Sequence, residues 1–156
     1  MKKYELTGEC KVYFGVTLRR IKSLIDFSDV KKGELGGFIE KEENLSHENN
    51  AWVYGNAEVS GDAWVSGNAW VSGDAWVYGD ADYVLIGRIG SRFGFTTFFR
   101  NKNNEIYVSC GCFLGPLAEF RAAVREKHGT DTKFAKVYQV AADLAELQIE
   151  HNGKAD

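Results

Sequence analysis

The sequence contains few of the residues that define disulfide-bonded or membrane-spanning proteins. It has one proline, one methionine and three cysteines among 156 residues. An odd number of cysteines does not suit a disulfide framework and fits a reducing compartment. No apolar run approaches the roughly 18 residues of a membrane-spanning helix, and the first residues do not follow a secretion-signal pattern. We therefore expect a cytoplasmic protein with no membrane partner.

The sequence also lacks a strong excess of charge of either sign. Its formal net charge is −3, and charged residues make up 26% of the chain. Such a balance argues against strong binding to nucleic acid and equally against an acidic mimic of DNA. The hydrophobic fraction of 44% is ordinary for a folded domain.

Glycine replaces proline as the turn residue, and it recurs at a fixed interval. Between positions 51 and 80 the hexad Ala-x-Val-x-Gly-Asn/Asp occurs five times, and weaker copies (IEKEEN and LSHENN) begin at position 39. The Gly-Asn or Gly-Asp pair suits a sharp corner with positive φ. The second hexad position is Trp in four of the five copies, and these four are all the tryptophans of the chain.

The hexads resemble the hexapeptide repeat of left-handed β-helices. The resemblance implies that each Val points into a triangular prism, that three hexads form one coil, and that residues 18 apart stack. The repeat supplies only a little over two coils, which would expose unpaired backbone at both ends unless other segments cap it.

The predicted fold is mainly β, with an α+β C-terminal part. We expect an N-terminal β cap at 1–38, a short left-handed β-helix (hexapeptide solenoid) at 39–82, and a C-terminal module at 83–156 with a β-sheet and two helices. The apolar spacing of the second helix predicts that its buried stripe contains Phe134, Val137, Ala141 and Leu144.

The tryptophans flank the inward Val positions and are therefore expected on the outside of the prism. Such an aromatic surface must be covered, because soluble monomers rarely expose large apolar patches. The cover could be another part of the same chain, a second copy in a homo-oligomer, or a foreign protein. The predicted interface residues are Trp52, Tyr54, Trp64, Trp70 and Trp76.

Two further sequence features raise the question of chemistry. Hexapeptide solenoids often belong to acyltransferases, which have longer solenoids and a protruding loop with a catalytic His; here His47 precedes an uninterrupted repeat and is interpreted as a cap residue. Cys110 and Cys112 alternate with Ile106 and Val108, which is typical of a core strand. We expect no metal, no cofactor and no catalytic residues.

One segment has the composition of an anion site. Positions 87–100, GRIGSRFGFTTFFR, combine three glycines with hydroxyl side chains and arginines. Glycines let backbone N–H groups approach an anion, and Arg matches a phosphate in bidentate fashion. The alternative is a strand–turn–strand with solvated arginines. The predicted ligand-binding residues are Arg88, Ser91, Arg92, Thr96 and Thr97.

The order of GELGGFIEKEENLSHENNAWVYGNA, the tandem hexads and the later IGSR, TTFFR and VSCGCFLGPLAEF segments resembles short proteins encoded by phages and prophages. The resemblance implies an infected bacterial cytoplasm. It leads us to predict a non-enzymatic, oligomeric counter-defence protein that sequesters a phosphate-bearing nucleotide signal. The alternatives are an inhibitor that binds a host defence protein, such as a CRISPR effector, through its aromatic faces, and a small acyltransferase-like enzyme.

Overall fold

A computed structural model describes residues 2–13, 15–73, 75–77, 82–92, 94–111 and 113–153. For residues 150–153 it describes the backbone and not the side chains. The chain divides into two compact units, residues 1–80 and 81–156. None of the described helices is long and apolar enough to span a membrane.

The N-terminal unit contains seven described strands and one short 3₁₀ helix, Glu42–Asn44. A five-stranded sheet has the order β1-β2-β3-β5-β7, and a two-stranded sheet pairs β4 with β6. The first three strands are antiparallel, whereas the hexad strands pair in parallel. The strands are β1 (Tyr4–Tyr13), β2 (Val16–Ser23), β3 (Leu35–Ile39), β4 (Trp52–Val53), β5 (Glu58–Val59), β6 (Trp70–Val71) and β7 (Trp76–Val77).

The predicted fold class, a left-handed β-helix between two caps, is wrong. The described strands form three separate sheets accompanied by two helices. The hexad strands are only two residues long. Two of them, β5 and β7, continue the sheet begun by the N-terminal strands. The parallel pairs of hexad strands join residues 18 apart, such as Val53 with Val71.

A buried lysine ties the beginning of the chain to the repeat. Lys3 is 1% exposed, and its Nζ donates to the backbone oxygens of Ala51 at 2.6 Å and Asn49 at 3.3 Å. The ammonium group also lies 4.7 Å from the centre of the Phe27 ring. Burial lowers the pKa of Lys3 from its usual 10.5 to about 8.

The C-terminal unit is an antiparallel sheet of order β11-β10-β9-β8 with two helices. A hydrophobic core of Phe98, Val108 and Phe120 lies between the sheet and the helices. The elements are β8 (Tyr83–Ile89), β9 (Gly94–Arg100), β10 (Ile106–Cys110), β11 (Phe113–Pro116), α1 (Leu117–His128) and α2 (Lys133–Gly153).

Helix α2 does not bury the stripe of side chains that its sequence predicts. Phe134 is 36% exposed and Leu144 is 50% exposed, whereas Ala141 is buried as expected. The buried stripe is made of small residues and one large one: Ala135, Ala142, Ala145 and Ile149. Because alanine occupies little space, the helix axis can approach the sheet closely, and the larger apolar residues are left on the outer side.

A buried ion pair joins three parts of this unit. Arg100, 5% exposed at the end of β9, donates from Nε to Asp82 Oδ1 at 2.9 Å. Its remaining nitrogens donate to the carbonyl oxygen of Ile149 in α2, at 2.6 Å, and to Asn104 Oδ1 in the turn after β9. The pair is fully hydrogen-bonded, which is the condition under which a buried charge is tolerated.

Because Lys3 is buried, we expect the folded protein to become more stable as the pH becomes alkaline. Because the pKa of Lys3 is lower in the folded than in the unfolded chain, the free energy of unfolding should rise as the pH increases from about 8 towards 10.5. Urea denaturation of the wild type and of Lys3→Met, followed over this range, measures the effect. The rise should be missing in Lys3→Met and retained in Lys2→Met, which removes an exposed lysine. Parallel pH profiles for the wild type and Lys3→Met would show that the lysine is not buried.

Candidate functional site

The C-terminal unit contains a cleft of about 480 Å³ at one edge of its sheet. The turn after β8 and the turn after β10 lie at the same end of the sheet, because β8, β9, β10 and β11 each run antiparallel to the next strand. The end of α1 and the first half of α2 complete the wall. The lining residues are Ile89, Ser91, Arg92, Gly94, Phe95, Thr96, Cys110, Gly111, Phe113, Lys127, His128 and Tyr138.

One wall of the cleft depends on a glycine. Gly90 has a φ of +82°, in the left-handed region that favours glycine. A Cβ atom on this residue would lie 1.8 Å from the hydroxyl oxygen of Tyr138. The tyrosine can reach the cleft only because position 90 has no side chain.

A thiol and two hydroxyl groups form the polar part of the floor. Thr96 Oγ1 donates to Cys110 Sγ at 3.2 Å, and Tyr138 lines the cleft beside them. Burial raises the pKa of Tyr138, and the charge and hydrogen bond of Cys110 add to the rise, while Arg92 opposes it. The tyrosine is therefore a neutral hydrogen-bond donor near pH 7.

The rim of the cleft is cationic. Arg92 lies in the turn after β8, and Lys127 lies in the last turn of α1; both are exposed. The His128 ring stacks on Tyr138, with ring centres 5.9 Å apart. None of the described residues that line the cleft is acidic. The arrangement is suited to a ligand with negative charge at one end.

The structure brings together three of the five predicted ligand-binding residues. Ser91, Arg92 and Thr96 line the cleft. Arg88 is exposed on β8, and Thr97 is buried on the face of β9 opposite Thr96, because successive strand residues point to opposite sides. Neither of these two contributes to the lining.

Four polar residues of the cleft were not predicted as site residues. Lys127, His128 and Tyr138 lie outside the glycine-rich segment of positions 87–100, in the two helices that follow it, and reach the cleft only through helix packing. Cys110 was expected in the core but is half-buried and faces the cleft, while Cys112 lies outside the described residues. Among the described residues, no group of three His, Cys, Asp or Glu side chains is placed to hold a metal ion.

The predicted interface residues occupy different environments within the N-terminal unit. Trp52 is fully buried, with its ring edge-on to Tyr4 and Phe27. Trp70 is half-buried and stacks on Tyr54, which is 44% exposed. Trp64 is 54% exposed and Trp76 is 40% exposed. The cover over Trp52 is therefore part of the same chain.

His47 has the environment of a structural residue. Its Nδ1 accepts a hydrogen bond from the backbone N–H of Lys3 at 3.1 Å, and its ring stacks on Tyr4 with centres 4.1 Å apart. Burial lowers the pKa of His47, while Glu42, 3.7 Å from its Nε2, opposes the change. These contacts attach the histidine to the first strand.

Comparison with known proteins supplies one relative and no family. No family profile matches the chain. An uncharacterised acetyltransferase of Escherichia coli strain K12, YdcK, is 37% identical over 62 residues, which are 35% of this chain and 19% of the relative. The chain thus matches about a fifth of the relative's length. The match contradicts the prediction of a chain without enzymatic activity. It favours the acyltransferase alternative over the two binding functions. It gives no support for phage origin or for a counter-defence function.

Proposed function

We propose that the C-terminal cleft binds a phosphate-bearing acyl thioester of the coenzyme A type and that the protein is an acyltransferase. The observation that carries this proposal is the cationic rim formed by Arg92 and Lys127 beside the hydroxyl groups of Ser91 and Thr96. Such donors bind phosphate through charge-assisted hydrogen bonds. The cleft volume falls within the roughly 300–1,000 Å³ of small-molecule sites.

An acyl donor of the coenzyme A type accounts for two independent observations. The glycine- and arginine-containing segment predicts a nucleotide with phosphate groups, and the matched relative is named an acetyltransferase. Coenzyme A is a phosphorylated nucleotide whose thiol carries the acyl group, so one ligand accounts for both. The sequestration of a signal nucleotide and the inhibition of a host protein remain predictions.

The cleft also contains groups that acyl transfer requires. An acceptor nucleophile must lose a proton as it attacks the thioester carbonyl, and the carbonyl oxygen becomes negative. His128 takes up the proton at the wall of the cleft, and the neutral Tyr138 hydroxyl donates to the oxygen. The new acyl–acceptor bond forms, the carbon–sulfur bond breaks, and the coenzyme thiolate receives the proton from His128.

Binding of the donor should depend on Arg92 and not on Arg88. The loss of a charge-assisted hydrogen bond to phosphate weakens binding by about ten- to a hundredfold. Calorimetric titration with coenzyme A should show this loss for Arg92→Ala, and added salt should weaken wild-type binding. Arg88→Ala is the matched control, an exposed arginine four positions away that does not line the cleft, and should bind as the wild type does. Equal losses in the two variants, or no binding by the wild type, would reject the site.

Catalysis should depend on the Tyr138 hydroxyl. Removing one donor to a developing oxyanion lowers turnover by about a hundredfold or more. Release of thiol from acetyl-coenzyme A, followed with a panel of amine and alcohol acceptors, should fall by this factor in Tyr138→Phe with little change in donor affinity. Tyr107→Phe, a change on β10 outside the cleft, should leave turnover intact. Binding without turnover in the wild type would keep the phosphate site and refute the transferase.

Two glycines of the cleft allow a steric test with a matched control. Gly90→Ala places a Cβ atom against the Tyr138 hydroxyl, whereas Gly94→Ala meets no atom within 4 Å. We expect Gly90→Ala to displace the tyrosine, lower the melting temperature and weaken coenzyme A binding. Gly94→Ala should preserve both. If the two variants bind and melt alike, Tyr138 does not form the wall of the cleft.

A further inference from the structure

Helix α2 carries two apolar faces, of which its own unit covers one. The inner face is the alanine-rich stripe that packs on the sheet. The outer face consists of Val137, half-buried, with Val140 at 66%, Leu144 at 50% and Leu147 at 71% exposure. A helix that is apolar on both sides is typical of one that is buried on both sides. We refer to these four residues as the outer face of α2.

The outer face has the spacing of a helix–helix contact. Its members are separated by three, four and three positions, which places them in one continuous row along the helix. Beside the row lies a groove of about 340 Å³ between α2 and β8, with Ile86 and Ile89 on its far side. A row of large side chains next to a groove is complementary to a second copy of itself, since each copy offers both parts.

The charges on α2 favour an antiparallel partner. Lys133 and Lys136 lie near its beginning, and Asp143 and Glu146 lie later. Arg121 contacts both carboxylates, at 2.9 and 3.5 Å, so one negative charge remains unbalanced there. The helix dipole favours the reverse order of charges, so helix stability does not account for this pattern. Antiparallel docking places the basic end of each helix over the acidic part of the other, whereas parallel docking places like charges together.

The size of the helix sets the size of the interface. A helix of 21 residues is about 30 Å long and about 10 Å wide. Its outer side therefore offers on the order of 300 Å² per chain, against roughly 800 Å² in a standard interface, so a dimer built on this face has a small interface.

We propose that two copies of the chain associate through the outer face of α2, antiparallel about a two-fold axis near Val140. The side chains of one copy then occupy the groove beside β8 of the other. This surface is separate from the predicted tryptophan interface of the N-terminal unit. It also leaves the acyl-donor proposal open to independent failure, because its test measures mass and not binding of coenzyme A.

Sedimentation velocity of the full chain at micromolar concentration tests the proposal. The wild type should have twice the chain mass of 17.4 kDa. Leu144→Asp should shift the dissociation constant at least tenfold towards monomer. Leu114→Asp is the matched control, since Leu114 lies on β11 with 49% exposure, and it should remain dimeric. A second variant, Leu147→Gln, changes a residue that is already 71% exposed and so should keep its fold while weakening the dimer.

Charge reversal tests the orientation. Lys133→Glu with Lys136→Glu should give monomers, because it places acidic residues opposite the acidic part of the partner helix. A wild-type monomer, a dimer indifferent to Leu144→Asp and Leu147→Gln, or equal dissociation by Leu114→Asp would overturn the proposed interface. A dimer that is unchanged by Lys133→Glu with Lys136→Glu would overturn the antiparallel arrangement.

Discussion

The packing of the C-terminal unit depends on the contacts of one buried guanidinium group, that of Arg100. Arg100 contacts the residue before β8, the turn after β9 and a backbone oxygen late in α2. This set of contacts fixes the helix along the sheet, while the alanine stripe lets it lie close to the strands. The position of α2 then determines both of its other roles. Its Tyr138 reaches the cleft at Gly90, and its large apolar side chains are directed away from the core.

Local patterns in the sequence predict which hexad residues pair, but they do not predict the sheets that those pairs belong to. The period of six gives parallel pairs 18 residues apart, such as Trp52 with Trp70. It does not reveal that β5 and β7 join the N-terminal strands. Glu58 shows why: it occupies the Trp position of its hexad, is 1% exposed, and pairs with Lys11 of β1 at 3.3 Å. That contact joins residues 47 positions apart, which no short-range period encodes.

The same distinction applies to the candidate site. Residues close together in sequence, Ser91, Arg92 and Thr96, could be predicted as a cluster from composition and turn chemistry. The residues that turn this cluster into a walled cleft come from two helices, and their position depends on packing. The predicted buried stripe of α2 is wrong for a related reason. The sequence pattern predicts burial of the largest apolar side chains, whereas the close approach of helix and sheet favours burial of the smallest.

The division of the chain gives each unit its own optical signal. All four tryptophans lie within residues 1–80, one of them fully buried at position 52, while α1 and α2 both belong to residues 81–156. Tryptophan fluorescence therefore originates in the unit of residues 1–80, and helical circular dichroism originates in the unit that contains the cleft. A single melt recorded with both probes separates loss of one unit from loss of the other, without any labelling of the protein.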